Sequence, residues 1–264
     1  MRYAISSPNV GDPAWLVDLA IETERAGWDA FFLWDHLHLV RALALDVFDP
    51  WVILGAAARE TERIRLGTMI TPVPRRRPWK LAKEIVTLDH LSGGRVVVGV
   101  GLGEPAADEF GSFGESIDPR ERAVLLDKGL ALLEGFLRGE PVRHDGDAFS
   151  VDAHLKPASV QQPRPPIWVA GKWPNRKPLE RAARYEGVMP ISSEGGPIPP
   201  EELRAVVDLM RPVEPFDVVA SVGPGVPWSE FEDAGATWIV ESGWPEGDWR
   251  DDLEQMVRDG PSGS

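Results

Sequence analysis

The chain has 264 residues, no cysteine and a formal net charge of −14. The missing thiols exclude disulfides, thiolate metal sites and a cysteine nucleophile, and the acidic balance makes nucleic acid and anionic membrane poor partners. No apolar run approaches a membrane span, and the first residues lead straight into a strand-like segment with no secretory leader, so a cytoplasmic location is the simple expectation.

Strand-like and helix-like segments alternate from the start. Residues 2–6 read as a strand and 13–26 as an amphipathic helix, with Asp12 as N-cap, Pro13 in the first turn and Gly27 after the end. A strand at 30–34 precedes a helix at 49–62, again opened by Asp then Pro. A strand at 64–70 and a helix at 78–91 follow. Residues 95–100 form the fourth strand, and its run Val96-Val97-Val98 suits a strand covered on both faces. After a helix at 120–137 the rhythm breaks: 142–144 and 148–151 flank Asp145-Gly146-Asp147, a hairpin turn signal. Strands at 167–170, 188–191, 216–221 and 237–241 then alternate with helices at 178–185, 201–210, 228–234 and 248–258. Eight βα units with short connections predict a single (β/α)₈ TIM barrel over 1–259, with a small β-hairpin inserted before strand five. A doubly wound open sheet is the alternative topology. Residues 260–264, Gly-Pro-Ser-Gly-Ser, read as a flexible tail.

In this fold active sites lie at the C-terminal ends of the strands. The second strand is followed by Trp34-Asp35-His36-Leu37-His38. A histidine there can move protons near neutral pH, or it can serve as a hydrogen-bonded loop residue. His36 and His38 lack a third ligand at suitable spacing, so no metal is expected. Thr68-Met69-Ile70-Thr71-Pro72 follows the third strand, and Arg75-Arg76-Arg77 reads as a solvated basic run that could attract an anionic cofactor tail. After the fourth strand, Gly99-Val100-Gly101-Leu102-Gly103-Glu104 lets a flat ligand lie against backbone. The G-x-G-x-x-A match over 101–106 is not a dinucleotide fingerprint, which belongs to a first βα turn. Glu104 could pair with His36 as acid and base, or could simply open the following helical segment. Ala170-Gly171-Lys172-Trp173-Pro174-Asn175-Arg176 after the fifth strand is either a phosphate site or an ordinary βα loop. Of 11 tryptophans, Trp34, Trp173 and Trp244 fall at the expected mouth, where aromatic walls suit a planar ring.

Leu91-Ser92-Gly93-Gly94-Arg95, the glycine turn from Val98 to Glu104, Leu66-Gly67-Thr68 and Ala182-Ala183-Arg184-Tyr185-Glu186-Gly187-Val188 together resemble the signature of the bacterial luciferase-like monooxygenase superfamily. The resemblance covers roughly residues 1–191. It implies a (β/α)₈ barrel that binds FMN or the deazaflavin F420 at the strand C-termini. It marks Asp35 and His36 as the Asp-His pair of the F420-dependent branch, with His36 and Glu104 catalytic, Met69-Ile70 as the site of a non-prolyl cis peptide, and Ala170-Gly171-Lys172 as the phosphate site. Thr68, Met69, Ile70, Gly101 and Gly103 would support the cofactor ring, and Trp34 and Trp173 the substrate. The expected activity is F420-dependent hydride transfer with a small organic substrate. An FMN-dependent monooxygenase fed by a reductase, and a non-catalytic flavin-binding barrel, are the alternatives. A homodimer is also suggested. The chain departs from the family in its short segment between strands seven and eight, a region that usually shapes the substrate pocket.

Overall fold

In the computed structural model, which describes residues 1–223 and 226–261, aspartates open three of the main helices. Asp12, Asp49 and Asp118 each accept a backbone N–H from the first turn, and a proline follows each cap. The helices they start are α1 (Pro13–Arg25), α2 (Pro50–Glu60) and α5 (Pro119–Leu137). Between them lie β1 (Arg2–Ser7), β2 (Ala30–Leu33), β3 (Arg65–Pro72), α3 (Pro78–Ser92), β4 (Val96–Gly101) and the short α4 (Ala106–Glu109). The antiparallel pair β5 (Pro141–Asp145) and β6 (Ser150–His154) comes next. The chain then runs through β7 (Ile167–Lys172), α6 (Arg176–Ala182), β8 (Gly187–Ile191), α7 (Pro200–Met210), β9 (Asp217–Ser221), α8 (Trp228–Asp233), β10 (Trp238–Ser242) and α9 (Trp249–Asp259).

Eight of these strands close in the order β1-β10-β9-β8-β7-β4-β3-β2, all parallel. β1 meets β10 in register from Arg2 opposite Trp238 to Ser6 opposite Ser242. That closure gives the (β/α)₈ barrel and rules out the open sheet. The hairpin is present, but its second arm begins at Ser150 rather than 148. The Gly146 N–H bonds the Phe149 carbonyl, and the buried Phe149 ring packs edge-on against Trp79, so Phe149 leaves the ladder for the core. Gly260 and Pro261 follow α9, and the rest of the expected flexible tail, 262–264, lies outside the described residues.

Two apolar layers hold the barrel. Leu16, Leu54, Leu81, Leu130 and their neighbours fill the space between strands and helices. Inside, alternate strand residues converge, among them Ala4, Phe32, Val97, Trp168, Val219 and Trp238. Trp168 and Trp238 meet edge to face at 5.1 Å. Gly187 makes room for them, because a Cβ there would stand 2.5 Å from Trp168. Asp217 accepts from Arg2 at 2.6 Å and from the Trp168 indole at 3.0 Å, and Arg2 lies over Trp238. These groups fill the N-terminal end of the barrel, so chemistry is left to the other end.

The signature around Gly93 is structural. Buried Asp89 accepts the N–H groups of Val160 and Gln161 and ties the segment after the hairpin to α3. The Arg95 guanidinium donates to the carbonyls of Ser92, Ile64, Ala58 and Thr61, closing the N-terminal ends of β3 and β4.

Candidate active site

The C-terminal ends of the strands surround a cavity of about 790 Å³, within the usual size range for small-molecule sites. Trp34 and His36 line it from the loop after β2, Met69 and Ile70 from the end of β3, and Gly103 and Glu104 from the loop after β4. Ala170, Gly171 and Lys172 line it from β7, and Met189 and Ile191 from β8. Ser6, Ser221, Ser242 and Trp244 complete the wall.

A charged network is buried behind the histidine. The Asp35 carboxylate takes Thr71 Oγ1 at 2.8 Å, Arg76 at 2.5 Å and Arg75 at 3.1 Å. Thr68 joins through Thr71 at 2.8 Å. Arg75 also reaches Glu109, whose side chain is 1% exposed. Glu109 in turn accepts the backbone N–H groups of Leu37, His38 and Leu39 at 3.0, 2.9 and 2.8 Å. Burial alone would push this carboxyl up, but His36, the backbone donors and the Arg75 guanidinium hold it well below the usual carboxylate range. Glu109 is therefore ionised at neutral pH. His36 Nδ1 faces Glu109 Oε1 at 3.5 Å. Asn9 fixes the histidine backbone, donating to its carbonyl and accepting its N–H. Among the described residues no protein group hydrogen-bonds His36 Nε2.

This arrangement corrects two sequence expectations. Arg75 and Arg76 are not a solvated run: two buried carboxylates turn them inward, while Arg77 alone is exposed. Glu104 does not pair with His36. Its side chain is 70% exposed, bound to buried Arg122 at 3.0 Å, and it accepts the Ala106 N–H at the start of α4. The carboxylate at His36 is Glu109, five residues further on.

The floor is built by close packing. β3 bulges between Thr68 and Thr71, and the Met69–Ile70 peptide is cis. A Cβ on Gly101 would sit 2.5 Å from Ile70 Cδ1, and one on Gly103 would sit 2.6 Å from Pro72 and 3.0 Å from Phe110. Gly101 thus lies beneath Ile70 rather than on the cavity surface, and Thr68 sits behind the wall. Trp173 is not at the mouth either. β7 extends to Lys172, and strand parity sends Lys172 inward and Trp173 outward, against the helix-side core. Trp34 and Trp244 do meet at the mouth, with ring centroids 5.6 Å apart.

Sequence reasoning missed Glu109, Asn9, the serines of β1, β9 and β10, and the Gly195-Gly196 turn after β8, which also lines the cavity. The one available signal was Asp108-Glu109 in an otherwise apolar stretch after the glycine turn. Among the described residues no group of three or more acidic, histidine or cysteine side chains could hold a metal, and no helix is long and apolar enough to cross a membrane.

The family model described as luciferase-like monooxygenase matches residues 2–230. A protein of Microbacterium testaceum named F420-dependent glucose-6-phosphate dehydrogenase is 33% identical over 217 residues, covering 78% of this chain and 60% of that protein. The match spans 48% to 62% of the length of several curated relatives. Among solved structures, the coenzyme F420-dependent tetrahydromethanopterin reductase of Methanopyrus kandleri superposes with a TM-score of 0.78 over 98% of each chain, at 18% identity. The FMN-bound oxygenating constituent of 3,6-diketocamphane monooxygenase from Pseudomonas putida gives 0.66 over 91% of this chain and 66% of that one, also at 18%. At these identities the structural likeness speaks for the fold, and the family match reaches past the region where the sequence signature is readable. The chain belongs to the luciferase-like monooxygenase family.

Proposed function

We propose that the chain is an oxidoreductase that passes hydride between a deazaflavin of the F420 type and a small organic substrate, with His36 moving the accompanying proton. The observation that carries this reading is the state of His36. Its Nδ1 faces an ionised carboxylate, its backbone is pinned by Asn9, and its Nε2 is left without a protein partner beside the cavity. A histidine held in this way can give and take a proton at Nε2 while Glu109 stabilises the charged ring.

The cavity fits a flat cofactor ring. Ile70, Met69 and Gly103 offer a floor with no protruding Cβ at the glycine, and Ala170, Gly171 and Lys172 offer backbone and one cation for a phosphate-bearing side chain. When bound, the cofactor would supply a ring carbon that accepts or returns hydride. Asp35 and Thr68 act from behind, by fixing Thr71 and Arg75. Glu104 would stand at the mouth, ion-paired to Arg122. The Microbacterium relative's name supports F420, and the fold's likeness to an FMN-bound monooxygenase component supports a second reading, in which His36 orients a substrate for flavin chemistry. Either reading calls for a reductase or a second substrate to restore the cofactor.

The test is His36→Ala. Turnover should fall about 10²–10⁴-fold, while cofactor affinity stays within about threefold. Unchanged turnover, or loss of cofactor binding together with folding, would sink the role assigned to His36.

A further inference from the structure

We infer that the β10–β1–β2 side of the cavity is a subsite for a neutral, largely apolar alcohol or carbonyl compound, and that it rejects sugar phosphates. The inference rests on the oxidoreductase reading and narrows its substrate.

The charge census points this way. Among the described residues three lysine or arginine side chains line the cavity: Arg75, Lys172 and Arg181. Arg75 is buried and spent on Asp35 and Glu109. Arg181 is spent on Asp127, which it grips through two bonds of 2.7 and 2.9 Å. Lys172 stands on β7, on the side given above to the cofactor's phosphate. The opposite wall carries no unpaired lysine or arginine among the described residues, its titratable base is His36 beside Glu109, and Glu104, which also lines the cavity, is ion-paired to Arg122. A phosphate placed there would lose its water and gain no opposite charge, a large cost in a partly desolvated site.

The wall offers something else. Ser6 and Ser242 are register partners on β1 and β10. Ser6 Oγ accepts the Trp34 indole N–H at 3.1 Å, which leaves its own hydrogen to donate. Ser242 Oγ donates to the Ser6 carbonyl at 2.7 Å, which leaves its lone pairs to accept. One donor beside one acceptor matches a substrate hydroxyl, and the donor alone matches a carbonyl. Trp34 packs 5.8 Å from His36 and 5.6 Å from Trp244, so the serine pair, the aromatic walls and the proton-moving histidine are contiguous. Trp244 is 49% exposed on the loop after β10, an apolar surface that a bound apolar group would cover.

The experiment is a saturation-transfer NMR titration of the protein with cyclohexanone and with glucose 6-phosphate, run with and without F420, on wild type and Trp244→Ala. Cyclohexanone should bind at least about tenfold more tightly than glucose 6-phosphate, equivalent to about 1.4 kcal/mol. Trp244→Ala should weaken cyclohexanone about tenfold, on the scale of a lost aromatic wall, and leave F420 affinity within about twofold. Comparable or tighter binding of glucose 6-phosphate overturns the inference, as does no binding of cyclohexanone, or an unchanged cyclohexanone affinity in Trp244→Ala. If F420 fails to bind, the oxidoreductase reading falls, and the titrations of the unloaded protein still decide the subsite.

Discussion

Replacing Glu109 by glutamine removes one charge and keeps the shape. The carbonyl oxygen can take the place of Oε1 and keep the N–H groups of His38 and Leu39, and that of Leu37 at its longer 3.2 Å contact. The amide nitrogen then stands where Oε2 received Arg75, donor against donor. Breaking a buried ion pair costs about 3–5 kcal/mol when the surviving charge is left uncompensated. Arg75 retains Asp35 at 3.1 Å, so the lower end applies, about 3 kcal/mol. For a domain of this size that corresponds to roughly 6–12 °C in Tm. The pH dependence has a definite sign. The Glu109 pKa is depressed in the folded state, so its contribution is fully present above the unfolded value of about 4.3 and is lost as pH falls towards the folded value. Urea unfolding of wild type and Glu109→Gln should therefore show a gap of about 3 kcal/mol at pH 7 that narrows below pH ~4.3. A gap under about 1 kcal/mol at pH 7, or one that widens on acidification, would refute the buried-charge account.

Arg95→Ala removes a guanidinium that serves carbonyls of four residues at the barrel's N-terminal end. It should cost about 2–4 kcal/mol by chemical denaturation, with cofactor affinity of the folded fraction unchanged. Gly99→Ala would set a Cβ 2.4 Å from the Thr68 carbonyl, which is backbone, whereas Gly101→Ala would meet only the end of the Ile70 side chain. The first should cost about 1–3 kcal/mol and weaken cofactor binding by displacing the Met69–Ile70 bulge. The second should be milder on both counts, and equal losses in urea unfolding and cofactor titration would contradict the packing argument.

The barrel was legible because its signals are local. Asp-Pro caps mark the helix starts at Asp12 and Asp49, and the valine run marks β4 as a strand covered on both faces. The positions of His36, Met69, Ile70 and Lys172 at the strand ends follow from the same rhythm. What escaped depends on parity and long-range pairing. Extending β7 by two residues beyond the expected end turns Trp173 away from the mouth. Arg75 looked solvated because its anionic partners lie 40 and 34 residues away in sequence. Glu109 sits on a four-residue helix, too short for any periodicity to announce its burial. The most specific motif, around Gly93, proved to be a structural clasp through Asp89 and Arg95, which is why it identified the family without locating the chemistry.

The central claim is that this cavity takes a deazaflavin and places it beside His36. Fluorescence titration of the purified chain with F420 and, separately, with FMN tests it most directly. The account predicts saturable binding of F420 that is at least about tenfold tighter than that of FMN and weakened by Gly99→Ala. Tighter FMN binding, or no response to F420, would contradict it.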